Sequence, residues 1–287
     1  MRFVSLLRAG VPVVGCVEQQ EVVVLPAPAS GEGLVGWLMQ PKPQVERALA
    51  QARANAANVM PLAQAKLLPA VQRPGKIVCL GLNYADHAAE GGHKKPEYPS
   101  FFLRVPSSLA AHGEPLLRPR VSDRFDWEAE LAVIIGKPGR HLTESNALAV
   151  VAGYTCFNDG SLRDYQRKTS QWTIGKNFDR TGPLGPWVVP ASELPPGATG
   201  LKIESRLNGQ VMQSSNTSNM LFPVVETLCL LTEVMTLEPG DVIAMGTPSG
   251  VGYARTPPVF MKAGDRIEID IEKIGVLANT IVDEEAA

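Results

Sequence analysis

The segment Asp126 to Gly136, DWEAELAVIIG, carries two glutamates two residues apart at the head of an apolar run. Alternation along a strand puts Glu128 and Glu130 on one face, about 6.6 Å apart. Trp127, Ala129, Leu131 and Val133 fall on the other face. Two adjacent anions on an element that continues into AVIIG must each be protonated, paired with a base or bound to a cation. A hard divalent metal resolves this most simply, and a solvated strand edge is the bland alternative for so common a triplet. GYTCFND then runs apolar up to Asn158-Asp159, so Asp159 stands where a buried strand emerges into a cleft, or in an ordinary turn. Three carboxylates with open coordination positions suit Mg2+ or Mn2+, and no His or Cys cluster accompanies them as zinc would require.

Asn83 to Glu90, NYADHAAE, follows the strand-like KIVCLGL directly. His87 and Glu90 are spaced i, i+3, one side of a helical turn. A Glu that accepts from one imidazole nitrogen fixes the tautomer and raises basicity at the other, as a general base for water requires. A surface pair with no role has the same spacing. Beyond Asp159 lie Arg163 and Gln166, and Lys176 follows QWTIG. Lys176 is either a solvated charge or, beside a metal, a group that stabilises a developing enolate or oxyanion. Thr247 lies in AMGTPSGVG, a glycine-rich turn in which backbone amides can approach a ligand. That turn lacks the order and the Lys of a phosphate-binding loop, and no nucleophile elbow or dinucleotide fingerprint occurs in the chain.

These residues need elements to hold them. KIVCLGL, LAVIIG, GYTCFND, GPWVVP, LKIESRL, QVMQSS, DVIAMGT, RIEIDIEKIG and VLANTIVD read as short strands separated by turn signals. Asn208-Gly209 between two alternating runs predicts a hairpin. Helices are expected around Asp86–Glu90, from Val45 to Ala63, around Thr143 to Ala152 and from Pro223 to Thr236. The N-terminal stretches FVSLL and VPVVGCVEQQEVVVL predict a small sheet, and Arg73-Pro74-Gly75 punctuates the chain. The expected organisation is a small N-terminal strand and helix domain, residues 1–72, and a larger domain, residues 73–287. The larger domain is read as mainly β with a few helices packed on a closed or rolled sheet.

Composition bounds the function. The 287 residues are 45% hydrophobic and 20% charged, with a formal net charge of -2, so a folded core is affordable and concentrated positive charge is absent. No nucleic-acid or anionic-membrane partner is therefore expected. Cys16, Cys79, Cys156 and Cys229 stand far apart in apolar contexts, the pattern of buried free thiols. Arg8 interrupts the apolar N-terminus, which reads as mature structure, and a cytoplasmic location is expected.

Taken in order, NYADHAAE, SFFLRVPSSL, DWEAELAVIIG, GYTCFNDGSLRDYQ, QWTIGKNFD, LNGQVMQSSNTSNMLF, LEPGDVIAMGTPSGVG and FMKAGDRIEIDIEKIG closely resemble the fumarylacetoacetate hydrolase family, over roughly residues 73 to 283. The resemblance implies a mixed α/β, mainly β fold, a rolled β-sandwich catalytic domain that is usually dimeric. It implies Mg2+ or Mn2+ held by Glu128, Glu130 and Asp159, and water activated by His87 and Glu90. It places Arg163, Gln166, Lys176 and Thr247 in the substrate site. Arg104 stands where many members carry Lys, a bidentate fork in place of a point charge that is expected to bear on substrate preference. Gly160-Ser161-Leu162 also departs from the common Val-Ser-Ala. The implied chemistry is enolate formation at C3 of a metal-chelated 2-oxo acid. The first expectation is a hydrolase that cleaves a carbon-carbon bond of acylpyruvates or 1,3-diketo acids in aromatic-compound catabolism. A decarboxylase, isomerase or hydratase of a 2-oxo acid using the same site is the alternative.

Overall fold

The computed structural model describes residues 1–28, 31–85 and 97–285. The N-terminal β-branched runs form an antiparallel meander of β1 (Phe3–Arg8), β2 (Val11–Glu18) and β3 (Glu21–Val24), with β1 and β2 paired from Phe3 opposite Cys16 to Arg8 opposite Val11. Two helices follow, α1 (Gly33–Leu38) and α2 (Lys42–Arg53). Val45, Leu49 and Ala52 recur at helical spacing and are the buried face of α2. Short strands β4 (Val59–Pro61) and β5 (Lys66–Leu67) return to β3 and β1.

The strands that matter for the site come next. They are β6 (Ile77–Gly81), β7 (Ser100–Arg104), β8 (Leu109–Ala110), β9 (Leu116–Arg118), β10 (Phe125–Asp126), β11 (Ala129–Ile135), β12 (Val151–Asn158) and β13 (Ser161–Leu162). Short helices α3 (Arg163–Gln166) and α4 (Thr173–Lys176) precede β14 (Gly182–Pro190). The hairpin β15 (Lys202–Leu207) and β16 (Gln210–Asn216), helix α5 (Val224–Val234), β17 (Val242–Ala244), β18 (Arg266–Ile271) and β19 (Gly275–Asp283) complete the chain.

The large sheet runs β4-β3-β2-β1-β14-β12-β11-β17-β6-β7, with β5 on β1 and β8 on β14. A second sheet, β16-β15-β18-β19-β9, lies against one of its faces. Strand β11 explains the sandwich. Ala129, Leu131, Val133 and Ile135 point into a core shared with Ile203, Ile267, Ile269 and Leu277 of the second sheet. Ala132 and Ile134 point the other way, into a core shared with Val35 and Trp37 of α1 and Val45 and Leu49 of α2. A strand buried on both faces reads as a continuous apolar run, which AELAVII is. Residues 1–72 therefore extend the large sheet with β1 to β5 and cover its second face with α1 and α2, and hydrogen bonding crosses residue 72 through the pairing of Phe3 with Val188.

Two local expectations are corrected. The helix expected over Val45–Ala63 ends at Arg53, because Asn58 Nδ2 donates to Ala52 O and Asn55 starts a separate turn, after which Val59 pairs with Val23. The helix expected around Thr143–Ala152 is one 3-10 turn, Ala147–Val150, and the β-branched Val151 enters β12 opposite Ile135. Helix α1 was not expected. The helix expected around Asp86–Glu90 lies outside the described residues. Asn208 and Gly209 do form the two-residue turn between β15 and β16, both at positive φ, 52° and 81°.

Candidate active site

The site is built where β11 begins and β12 ends. Antiparallel pairing sets Ala129 opposite Asn158 and Glu130 opposite Phe157, and Asp159 N donates to Glu128 O at 3.0 Å. Asn158 Oδ1 accepts from Glu128 N at 2.9 Å, which pins the residue before the strand. One carboxylate oxygen from each of Glu128, Glu130 and Asp159 lies within 4.8 Å of the others, and all three residues are buried. The strand period thus brings two of the carboxylates together, and the register supplies the third.

Basic side chains surround the triad. Lys176 Nζ, at the end of α4, is 2.5 Å from Glu128 Oε2 and 2.6 Å from Asp159 Oδ2. Arg163, the first residue of α3, sits 2.7 Å from Glu128 Oε1 and 2.7 Å from Asp126 Oδ2, and donates to Gln166 Oε1 at 2.9 Å. Glu130 Oε2 accepts from Gly246 N at 2.9 Å. Thr247 donates to Ala129 O at 2.9 Å and accepts from Gln213 Nε2 at 2.8 Å, while Gln213 Oε1 accepts from Ala129 N. The turn after β17 is thereby laced to the start of β11.

Charges in this setting shift one another. Burial, then the neighbouring Asp159 and Glu128, push the Glu130 carboxyl well above the ordinary carboxylate range. Burial opposes the Lys176 ammonium, but Asp159 and Glu128 outweigh it and hold Lys176 above the usual lysine value. Burial likewise opposes Arg163, and Glu128 with Asp126 raises it in net. The donor set is all oxygen, buried and rich in negative charge, which fits a hard divalent cation.

A cavity of about 180 Å3 opens onto the triad, lined by Glu128, Glu130, Arg163, Gln166, Lys176 and Thr247 on its polar side. Phe102 and Trp172, edge to face with centroids 5.6 Å apart, form part of its apolar wall. Of the residues singled out by sequence, Glu128, Glu130, Asp159, Arg163, Gln166, Lys176 and Thr247 come together here. His87 and Glu90 lie outside the described residues. Arg104 departs from its expected role at a substrate carboxylate. Its guanidinium lies behind Asp159, 2.5 Å from Oδ1, and is further held by Gly160 O, Thr181 Oγ1 and Ser108 Oγ, off the cavity wall.

Sequence reasoning missed Asp126, which receives Arg163 and the backbone amides of Gly252 and Tyr253, and also Gln213, Trp172, Tyr253 and Arg167. Asp126 carried a signal in its place beside Trp127 and the paired glutamates. Gln213 carried none, since it reaches the site only through the pairing of sheets.

A family model described as fumarylacetoacetate (FAA) hydrolase C-terminal matches residues 76–282. The chain belongs to the fumarylacetoacetate hydrolase family. The mitochondrial oxaloacetate tautomerase Fahd2a of Rattus norvegicus is 42% identical over 241 residues, 83% of this chain and 77% of that protein. Among solved structures, the fumarylacetoacetate hydrolase of Exiguobacterium antarcticum matches with a TM-score of 0.83 at 33% identity, over 99% of this chain and 100% of that one. The 5-carboxymethyl-2-hydroxymuconate delta-isomerase of Mycobacterium smegmatis matches with a TM-score of 0.80 at 31% identity, again over 99% and 100%. The mixed, mainly β fold read from the sequence is the fold of this family. Its members carry the names of different reactions, so membership alone does not select among tautomerisation, isomerisation and hydrolysis.

Proposed function

We propose that this protein moves a proton between the keto and enol forms of a small 2-oxo acid, with an oxaloacetate-like diacid as substrate. The observation that carries this reading is the buried triad of Glu128, Glu130 and Asp159 beside Lys176 at a cavity whose polar side Glu128, Glu130 and Lys176 line. The name of the rat relative supports the same substrate class. Glu128, Glu130 and Asp159 would hold Mg2+ or Mn2+, which when bound supplies Lewis-acid polarisation of a substrate oxygen.

The chain's own groups supply the rest. Lys176, kept protonated by Asp159 and Glu128, presents an ammonium to the negative charge that develops on a keto oxygen as C3 loses its proton. Gln166, fixed by Arg163, offers its amide at the cavity wall. Phe102 and Trp172 form an apolar wall that limits water on that side of the cavity. Hydrolytic cleavage of acylpyruvates is the second reading. The spacing of His87 and Glu90 directly after β6 favours it, and aromatic-compound breakdown attaches to it. In either reading we take the working unit to be a homodimer.

Purified protein with Mg2+ should speed the decay of enol-oxaloacetate ultraviolet absorbance at least about 100-fold over buffer, the low end for positioned proton transfer, and EDTA should remove the effect. Acetylpyruvate is assayed beside it. Acetate and pyruvate from acetylpyruvate with no tautomerase activity would put hydrolysis first, and silence on both compounds would overturn the oxo-acid reading.

A further inference from the structure

Three cationic side chains line the cavity: Arg163, Lys176 and Arg167. Arg163 and Lys176 are buried and ion-paired with protein carboxylates. Arg167 differs. It is exposed, and among the described residues its guanidinium has no carboxylate partner; it lies over the ring of Tyr253, 4.7 Å from guanidinium carbon to centroid. Arg163 meets the same ring at 4.5 Å. Tyr253 is itself fixed, because its backbone amide donates to Asp126 Oδ2 at 3.1 Å and the neighbouring Gly252 amide to Oδ1 at 2.7 Å.

Spacing turns these contacts into a direction. Arg163 opens α3, and Arg167 follows it by four residues just past the helix end, so the two side chains share a face, about 5 to 6 Å apart at the Cβ. Arg163 meets the triad at Glu128, and Arg167, one turn later in the chain, is exposed where it lines the same cavity. One helical turn is about 5.4 Å, of the order of the length of a four- or five-carbon diacid. A substrate whose 2-oxo carboxylate end faces the triad would leave its far end beside Arg167. An aromatic ring beneath a guanidinium restricts its motion and leaves its N–H edge free for a bidentate carboxylate contact.

We propose that Arg167, braced on Tyr253, is the subsite that receives the distal carboxylate of a 2-oxo diacid, and so sets the preference for diacids over monoacids. This rests on the oxo-acid reading above and goes beyond it, since nothing in the triad reads the far end of a substrate. Arg167 is a specificity residue and takes no part in the proton transfer.

The test is steady-state kinetics of the parent, Arg167→Gln and Arg167→Lys on oxaloacetate and on its 4-methyl ester, whose distal end is neutral. Arg167→Gln should raise KM for the diacid about 10-fold, the loss of one charged hydrogen-bonding contact, with KM for the ester and both kcat values within about twofold of the parent. Arg167→Lys should fall between. An unchanged diacid-to-ester ratio in Arg167→Gln, with the parent active, overturns the subsite and leaves the oxo-acid reading standing. If the parent turns over neither compound, that reading fails by itself, and calorimetric binding of succinate against butyrate then decides the subsite. A succinate preference in the parent that Arg167→Gln loses supports it, and an equal preference in both proteins overturns it.

Discussion

Arg104 directs its guanidinium at Asp159 Oδ1, Gly160 O, Thr181 Oγ1 and Ser108 Oγ, and its side chain is fully buried. With Oδ1 engaged by Arg104, Asp159 presents Oδ2 to Lys176. Arg104 thus orients a candidate metal ligand and neutralises its charge, which makes it a positioning residue. Removing one partner of a buried ion pair costs about 3 to 5 kcal/mol, because the other charge is left uncompensated. Arg104→Met should therefore lower stability by about that amount in denaturant melts, and loss of the support behind a ligand should weaken Mn2+ binding about 10- to 100-fold in a spin-resonance titration. KM for the oxo acid at saturating metal should stay within about twofold. The reverse pattern, unchanged Mn2+ affinity with a raised KM, would return Arg104 to the substrate. Arg104→Lys keeps the charge and loses the fork, so its losses should be smaller.

At the scale of elements, the strands were legible because each carries its own pattern: AELAVII and VAGYTCFN are continuous apolar runs, and RIEIDI alternates. The carboxylate triad was legible for the same reason, since the strand period and a strand end are local properties. Arg167, Tyr253 and Gln213 were not. Arg167 and Tyr253 reach the cavity through helix α3 and the turn at Gly252, Gln213 reaches Ala129 and Thr247 behind it through the packing of the second sheet on the first, and no local pattern encodes those meetings. The turn after β17 joins the two levels. Gly246 has φ +81°, its amide donates to Glu130, and a Cβ there would lie 2.7 Å from Asn83 Cβ and 3.1 Å from Leu80 O. Gly209 has the same φ with nothing within 4 Å of the added carbon. Gly209→Ala should cost only the backbone penalty of about 1 to 2 kcal/mol. Gly246→Ala adds overpacking of a further 1 to 3 kcal/mol or so, and thermal melts of the two variants should separate accordingly. Equal melting temperatures would mean that the turn relaxes freely, and that its hold on Glu130 is loose.

Across the whole molecule, a site of this kind ties ligand binding to folding. Asp126, Glu128, Glu130 and Asp159 face Arg104, Arg163 and Lys176 in one buried group, and the acids exceed the bases by one. Glu128 and Glu130 are neighbours in any conformation, but Asp159 joins them only when β11 and β12 pair, so the unfolded chain lacks the three-carboxylate site. A divalent cation should then bind the native state and not the unfolded one, and stabilise the fold by mass action. At a concentration about 100 times its dissociation constant the gain is about 2.7 kcal/mol, which for a chain of this size raises the melting temperature by about 4 to 5 °C. Mg2+ and Mn2+ should each produce the shift in a thermal melt, and EDTA should reverse it. Glu130→Gln should abolish it, because a neutral amide removes one anionic ligand. The metal-free variant should melt no lower than the metal-free parent, since the amide oxygen can still accept from Gly246 while one like charge leaves the group. A cation shift that survives intact in Glu130→Gln would place the ion away from Glu128, Glu130 and Asp159 and would remove the triad from the chemistry.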